Sequence, residues 1–194
     1  NIFTIAEEDK FEIFKRKISK ILVGFGFMET STYHLSNKEN QCKKMNMNMS
    51  LVEIENSKTQ EYNVLRAWIT PSLIEVLAKN KLYEYPQRIF EIGNVFNPDE
   101  ISRLGVLISH KQANFTEIKQ ILDYLLASLG LNYELSETKH DSFIEGRTGR
   151  VLVKDKKVAY IGEINPLCLE HFNLEMPVVA LELNLTELFS LIKQ

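Results

Sequence analysis

The sequence contains too few cysteines for a disulfide framework or a cysteine-based zinc site. Only two of its 194 residues are cysteines, Cys42 and Cys168, and they lie far apart. A structural zinc site or a small disulfide-stapled secreted domain needs several cysteines at short, regular spacings. The composition therefore argues against both classes of protein and agrees with a reducing compartment. We expect a cytoplasmic protein.

The sequence also lacks a long hydrophobic run and an excess of basic residues. No stretch approaches the roughly 18 apolar residues of a transmembrane helix, and no signal peptide opens the chain, so no membrane partner is expected. Lys and Arg number 23 against 26 Asp and Glu, a formal net charge of −3. A stand-alone nucleic-acid-binding domain usually carries a basic excess. Any contact with RNA must therefore be local or shared with another chain.

Recognisable catalytic motifs are missing as well. The sequence has no GxSxG nucleophile elbow and no phosphate-binding loop of the GxxxxGK[ST] or GxGxxG type. The histidines form no HxxxH or HExxH pattern, so each is expected to be structural or solvated. They are His34, His110, His140 and His171. We therefore predict no catalytic residue and no metal site.

Apolar residues at helical spacing predict several helices. The first carries an apolar face, follows a Thr4–Glu7 capping box with acidic residues in its first turn, and stops at Gly24 and Gly26. Its apolar face consists of Phe11, Phe14, Ile18, Ile21 and Leu22. Further helices are predicted to begin at Thr70-Pro71, at Asn114 or Thr116, at Asn165-Pro166 and at Thr186.

Runs of β-branched and alternating residues predict the strands. They cover residues 29–35, 51–55, 88–96, 104–109, 133–135, 151–153, 158–161 and 178–183. In the segment 36–50, the alternation of Met45, Met47 and Met49 with polar residues also favours a strand. Strands in hairpin-like succession with a few long helices imply an α+β fold, mainly antiparallel. We find no linker and treat residues 1–194 as a single domain.

Two polar segments stand out within this pattern. In the strand 88–96, alternation places Glu91 on one face with Ile89, Gly93 and Val95, and a carboxylate among apolar residues needs a partner. In the segment 143–150, two glycines allow a tight backbone around Arg147. Either segment could be purely structural.

Taken together, several segments resemble the β chains of the phenylalanyl-tRNA synthetase family. They occur in the order found in that family, span almost the whole chain, and resemble the archaeal and eukaryotic type more than the bacterial one. The segments are VLRAWITPSL (64–73), RIFEIGNVF (88–96), FIEGR (143–147), IGEINP (161–166) and VVALELNL (178–185). Asn165 stands where the family commonly carries His. Because the chain begins with Asn1, we expect a fragment of a longer β chain.

The resemblance implies a class II aminoacyl-tRNA synthetase-like fold, an antiparallel sheet flanked by helices. The family forms an α2β2 heterotetramer in which the α subunit uses ATP and magnesium to join phenylalanine to tRNA. The β chain carries a similar fold without that activity. The expected partners are thus the α subunit and, in the holoenzyme, tRNA. No cofactor is expected in this module, which could also self-associate when isolated.

The residues provide an independent check on the lost activity. Active class II sites carry an F-R-x-E strand whose Arg binds the ATP α-phosphate, whereas this chain reads Phe90-Glu91-Ile92-Gly93. The closing strand lacks the expected Gly and Arg and adds Glu182, and no Arg or Lys occurs between Lys157 and Lys193. An ATP site needs preorganised positive charge. We therefore expect a non-catalytic module that supports assembly of the enzyme.

Six residues are candidates for functional roles in this module. Phe25 and Phe27 suit a subunit interface, with core packing as the alternative. A polar network on the vestigial site face is predicted to consist of Arg66, Glu91, Arg147 and Glu163.

Two other functions remain open. A divergent class II ligase that itself binds ATP and an amino acid would need cations such as Arg147 or Arg150. A stand-alone synthetase-like regulatory domain would bind a ligand or a protein. Independently of these alternatives, Lys154, Lys156 and Lys157 are expected to form a solvated hairpin tip, and a contact with tRNA phosphate is the other interpretation.

Overall fold

A computed structural model describes residues 7–57, 59 and 61–192. Its helices are α1 (Lys10–Gly24), α2 (Lys38–Gln41), α3 (Thr70–Lys79), α4 (Phe115–Ser128), α5 (Pro166–His171) and α6 (Leu185–Ile192), with a short 3-10 helix at Lys43–Met45. Its strands are β1 (Met28–Glu29), β2 (Leu35–Ser36), β3 (Val64–Leu65), β4 (Gln87–Asn97), β5 (Asp99–Ser109), β6 (Glu134–Glu137), β7 (Phe143–Val153), β8 (Lys156–Ile164) and β9 (Val178–Asn184).

The strands form one large sheet and a small ribbon. The large sheet has seven strands in the order β1-β4-β5-β9-β8-β7-β6, and β2 pairs with β3 in the ribbon. Only β1, at one edge, runs parallel to its neighbour, and the other described pairings are antiparallel. The predicted α+β fold with an antiparallel sheet flanked by helices is confirmed.

The register of the sheet defines two faces, because residues directly opposite each other in antiparallel strands point to the same side. The front face carries the cross-strand row Glu91, Gly105, Glu182, Tyr160 and Arg150. The back face carries the row Phe90, Val106, Leu181, Ile161 and Gly149.

Each face buries its own hydrophobic core. The back face packs against the apolar stripes of α1, α4 and α6. The front face packs against α3, α5 and the residues that precede α3. The apolar helix faces predicted from the 3.6-residue period are the faces that pack against the sheet. Glu91 and Glu182 of the front row are therefore buried, whereas Tyr160 and Arg150 are partly exposed.

Helix α1 begins later than the sequence pattern predicts. Its N-cap is Asp9, whose side chain accepts hydrogen bonds from the backbone N–H groups of Phe11 and Glu12. Glu7 and Glu8 precede the helix instead of forming its first turn. Thr4, the first residue of the predicted capping box, lies outside the described residues. The predicted stop is confirmed, since Gly26 adopts a left-handed φ of 77° just beyond the helix.

The prediction of a strand in residues 36–50, made from the alternating methionines, is wrong. The segment forms α2 and the 3-10 helix, which ends at Asn46 with a left-handed φ of 53°. Met45 is fully buried, and Met47 and Met49 pack against the same front-face core. Alternation alone cannot separate a strand from short helical turns whose flexible thioether side chains fill gaps in a core.

Other strand boundaries shift relative to the sequence pattern. In the strand predicted over residues 29–35, only Glu29 belongs to β1 and only Leu35 to β2. The strand predicted over residues 51–55 is reduced to a single β-bridge between Glu53 and Val64. Strand β5 begins at Asp99 because the β4–β5 pairing continues to the tight turn at Pro98. The segment 143–150 belongs to β7, with a register irregularity between Phe143 and Thr148 that includes Gly146 at φ 75°.

Candidate functional site

A buried ion pair between Arg66 and Glu91 lies at one end of the front row. Both side chains are almost completely inaccessible, and Arg66 Nη1 donates to Glu91 Oε1 at 2.7 Å. Arg66 also donates to Thr32 Oγ1 at 2.7 Å and, through Nε, to the Asn94 carbonyl at 2.8 Å. Thr32 in turn donates to Glu91 Oε2 at 2.7 Å. The pair thus connects the β1–β2 loop, the segment before α3 and strand β4.

Gly93 makes room for this ion pair. It lies two residues after Glu91 on the same face of β4, and a Cβ atom at residue 93 would stand 2.2 Å from Arg66 Nη2 and 2.9 Å from Glu91 Oε1. Atoms at such distances overlap. The guanidinium can therefore lie flat across β4 only because residue 93 has no side chain.

Glu182 occupies the centre of the front row and caps helix α3 from across the fold. Its carboxylate accepts hydrogen bonds from the backbone N–H groups of Ile69 at 3.1 Å and Thr70 at 2.9 Å, and from the Thr70 hydroxyl. Arg103 Nη1 donates to the same carboxylate at 3.0 Å. Ile69, the N-cap residue, has no side-chain acceptor of its own. Glu182 therefore satisfies N–H groups that helix termini leave unpaired.

The sequence analysis missed the role of Glu182 as a cap. It recognised the residue only as an additional acid on the closing strand. The signal that could have indicated the role is an apolar residue, Ile69, at the position where Ser, Thr, Asp or Asn usually caps a helix. Such a helix needs an acceptor from elsewhere, but its sequence does not say from where.

A cluster of one arginine and several aromatic side chains lies at the other end of the front row. The Arg150 guanidinium carbon lies 3.8 Å from the centroid of the Tyr160 ring. The His140 ring lies 4.7 Å from Tyr160 and 5.6 Å from Trp68, measured between ring centroids. Burial lowers the pKa of both Arg150 and His140. These stacked side chains occupy this part of the face.

The front face holds its described charged side chains in contact with one another or with an aromatic ring. Its guanidinium groups are already engaged, Arg66 with Glu91, Arg103 with Glu182, and Arg150 with the Tyr160 ring. The central positions are carboxylates, which repel phosphate unless they are protonated or displaced. Catalytic stabilisation of phosphate instead requires preorganised donors and positive charge aimed at the reacting group.

The four residues of the predicted polar network form two separate pairs. Arg147 Nη1 donates to Glu163 Oε2 at 2.7 Å, and this hydrogen bond raises the pKa of Arg147. Glu163 lies opposite Val179 in the register, on the back side of the sheet, whereas Glu91 lies on the front. Its other oxygen accepts from the Phe115 N–H at 2.9 Å, at the start of α4. The sheet therefore separates this partly exposed pair from Arg66 and Glu91.

The two phenylalanines predicted at a subunit interface lie in different environments. Phe27 is buried in the back-face core, only 4% exposed, so core packing is its role within this chain. Phe25 is partly buried, and its ring meets that of Tyr124 edge-on at 4.6 Å. The apolar side chains exposed nearby are instead Val23 and Met28. An interface near this turn stays a prediction.

Two surface clefts are lined by residues outside the front row, and the first of them includes Thr32, which hydrogen-bonds both Arg66 and Glu91. A cleft of about 760 Å³ lies between the β1–α2 region and α3, with Tyr33 and Tyr62 among its walls. A second, of about 770 Å³, is lined by parts of α5 and by Arg147 and Glu163. Within the described part of the chain, no cluster of His, Cys, Asp and Glu could hold a metal ion. No described helix is long and apolar enough to cross a membrane.

Both cysteine thiols are free and buried. Burial raises the pKa of Cys168 to about 12, and the thiol accepts a weak hydrogen bond from the Asn46 amide. A thiol with such a pKa is almost entirely protonated at neutral pH and is a poor nucleophile. Cys168 packs in the front-face core.

The class of protein follows from this geometry. A mostly antiparallel sheet with a short parallel edge strand, flanked by helices, is a class II synthetase-like fold, and Arg66 and Arg103 on its front face are each paired with a carboxylate. Residues 3–185 match the family described as the phenylalanyl tRNA synthetase beta chain CLM domain, and the chain belongs to this family. The resemblance found in the sequence is confirmed.

Curated relatives agree with the family. The chain is 47% identical over 190 residues to the phenylalanine–tRNA ligase beta subunit of Pyrococcus abyssi, covering 93% of this chain and 34% of that protein. It is 42% identical over 203 residues to the beta subunit of Thermococcus onnurineus, covering 93% of this chain and 36% of that protein. The chain thus spans about a third of the length of these relatives. Both relatives are archaeal.

Proposed function

We propose that this chain is the non-catalytic synthetase-like module of a phenylalanine–tRNA ligase β subunit, in a complex that joins phenylalanine to tRNA in translation. The observation that carries the proposal is the Glu182 carboxylate, which occupies the backbone N–H groups at the start of α3 and the Arg103 guanidinium. Glu91, held by Arg66, adds a second buried carboxylate to the same row. The module supports the fold and assembly of the enzyme rather than its chemistry.

The partner in this proposal is the catalytic α subunit, in an α2β2 complex of the cytoplasm that also binds tRNA. ATP and magnesium belong to the α subunit. The surface that best suits the α subunit lies at the outer side of α1 and the start of β1. It exposes Ile13 by 45%, Val23 by 54% and Met28 by 68%. Exposed apolar groups beside charged ones are typical of protein interfaces. An isolated module would self-associate through the same surface.

The alternative of an ATP-binding ligase required Arg147 or Arg150 to bind phosphate, and both guanidinium groups have other partners. Arg147 lies on the other side of the sheet, paired with Glu163. Arg150 is on the front face but is stacked on Tyr160. Neither guanidinium is directed to a free phosphate position, so the geometry favours the non-catalytic module.

The stoichiometry of ATP binding tests this proposal. The complete β subunit that carries this chain is co-purified with its α subunit, and ATP is titrated by calorimetry in the presence of magnesium and phenylalanine. We expect one ATP per αβ pair, bound by the α subunit. Glu91→Gln and Glu182→Gln variants should leave that number unchanged. Two ATP molecules per pair would overturn the proposal and favour the ligase alternative.

A further inference from the structure

We propose that Glu182 is a built-in anion that occupies an oxyanion site at the start of α3 and thereby closes the front face to phosphate-bearing ligands. The inference rests on the proposed function and adds the device that keeps the module free of nucleotide. It predicts that the site is formed by the fold and that the Glu182 carboxylate competes for it with external oxyanions.

The donors around Glu182 form a converging set. Two backbone N–H groups, from Ile69 and Thr70, come from the N-terminus of a ten-residue helix. The Thr70 hydroxyl comes from the same turn, and the Arg103 guanidinium comes from strand β5. Amides at a helix N-terminus, a hydroxyl and a guanidinium are the groups that proteins use to bind phosphate and carboxylate. In this chain all of them bind one internal carboxylate.

The position of α3 on the sheet holds these donors in place. Gly105 lies directly opposite Glu182 in the register. A Cβ atom at residue 105 would stand 2.9 Å from the Ile69 side chain and 3.0 Å from that of Leu73. The first turn of α3 therefore rests directly on β5, one strand away from Glu182. The donors are fixed by this contact and do not depend on the carboxylate alone for their position.

The carboxylate itself is well enclosed. Glu182 is only 6% exposed, and its neighbour in the next strand, Tyr160, is covered by Arg150. An external phosphate would have to displace the partly buried Arg103–Glu182 ion pair and overcome the repulsion of Glu182. If the side chain were shortened, the same donors would be left without an acceptor, and a small oxyanion could replace the carboxylate.

Hydrogen exchange measured by mass spectrometry tests this inference on the complete β subunit in complex with its α subunit. The readout is a peptide that covers residues 66–73, which includes both amides. Wild type, Glu182→Ala and Glu182→Gln are compared during titration with formate, phosphate or chloride at constant ionic strength. Glu187→Ala, which removes an acid from the first turn of α6, is the matched control.

In the expected result, the Glu182→Ala peptide exchanges about tenfold faster than wild type, because the helix has lost its cap. Formate and phosphate restore slow exchange in a saturable way, and chloride does not. Wild type, Glu187→Ala and Glu182→Gln do not respond to any of the anions. In the Gln variant a neutral amide fills the space, so its exchange is faster than that of wild type but insensitive to anions.

Several results would overturn the inference. The first is an exchange rate of the Glu182→Ala peptide equal to that of wild type. The second is a response of that peptide to chloride equal to its response to formate and phosphate. The third is slow exchange restored by formate but not by phosphate. If Glu182→Ala does not yield a folded complex, the Gln variant decides, and wild-type exchange in that variant counts against the inference. The ATP stoichiometry is measured in a separate experiment. A negative result for the anion site therefore does not affect the test of the non-catalytic module.

Discussion

At the scale of single residues, the Arg66–Glu91 pair gives a prediction about stability. Both groups are buried, so removing one leaves the other charge uncompensated. We expect Arg66→Met or Glu91→Gln to lower the free energy of unfolding by about 3–5 kcal/mol. Denaturant unfolding of the two single variants and the double variant measures the coupling between the side chains. Purely additive losses would show that the pair does not act as a unit.

The Arg147–Glu163 pair is the internal control for this measurement. It has the same N–O distance of 2.7 Å, but the Arg147 side chain is 60% exposed, whereas that of Glu163 is 12% exposed. Solvent screens exposed pairs and long side chains lose entropy in forming them. The corresponding cycle should therefore give a much smaller coupling than the Arg66–Glu91 cycle.

Gly93 gives a second prediction at this scale. A methyl group there would overlap Arg66 Nη2, and Arg66 cannot easily move because its Nε is bonded to the Asn94 carbonyl. We expect Gly93→Ala to cost about 1–3 kcal/mol of stability, as overpacking of a core does. The loss should shrink when Arg66 is already replaced by Met. An equal loss in both backgrounds would place the strain elsewhere.

At the scale of elements, the β7–β8 hairpin can be stabilised at its turn. Lys154 and Asp155 form a two-residue loop with left-handed φ values of 48° and 64°. Hairpin turns of this kind favour Gly at the second position. We expect Asp155→Gly to raise the free energy of unfolding by roughly 0.5 kcal/mol, since relief of the φ penalty is partly offset by a more flexible unfolded chain.

Lys154 provides the control for the hairpin prediction. Its amino group donates to the Leu191 carbonyl at 2.8 Å, near the end of α6. Lys154→Gly relieves a similar φ penalty but removes this hydrogen bond, so no gain is expected. Thermal unfolding of both variants distinguishes the two effects. Stabilisation by Lys154→Gly would show that the contact with α6 contributes nothing.

Helices α3 and α4 show how far local sequence determines an element. Helix α4 begins after Asn114, whose side chain accepts from the Glu117 N–H, as its sequence predicts. Helix α3 has no such residue at its start and depends on Glu182, 112 positions from Thr70. Local patterns locate both helices, but only tertiary contacts complete the second.

At the scale of the whole molecule, the proposed interface gives a prediction that separates binding from folding. Met28 is exposed, whereas Phe27 beside it is buried. We expect Met28→Asp to weaken co-purification with the α subunit strongly while leaving thermal stability nearly unchanged. Phe27→Ala should instead lower stability by about 3–5 kcal/mol. Normal assembly of Met28→Asp would move the interface away from this surface.

Local sequence patterns are sufficient to predict the features that depend on near neighbours. The periodic apolar faces of α1, α3 and α4, the hairpin at Lys154 and the need of Glu91 for a partner all follow from residues a few positions apart. The order of short motifs was enough to indicate the family. These features arise from interactions between residues close together in the chain, and such interactions can be recognised from the sequence.

Contacts between groups that are distant in the sequence depend on the packing of the fold. The sheet register puts Glu91 and Glu163 on opposite sides, and it brings Glu182 to the start of α3. The segment around Met45 became helical turns because it fills the space between α5 and the front face. Contacts of this kind depend on strand order and on the packing of whole layers, which no local pattern specifies.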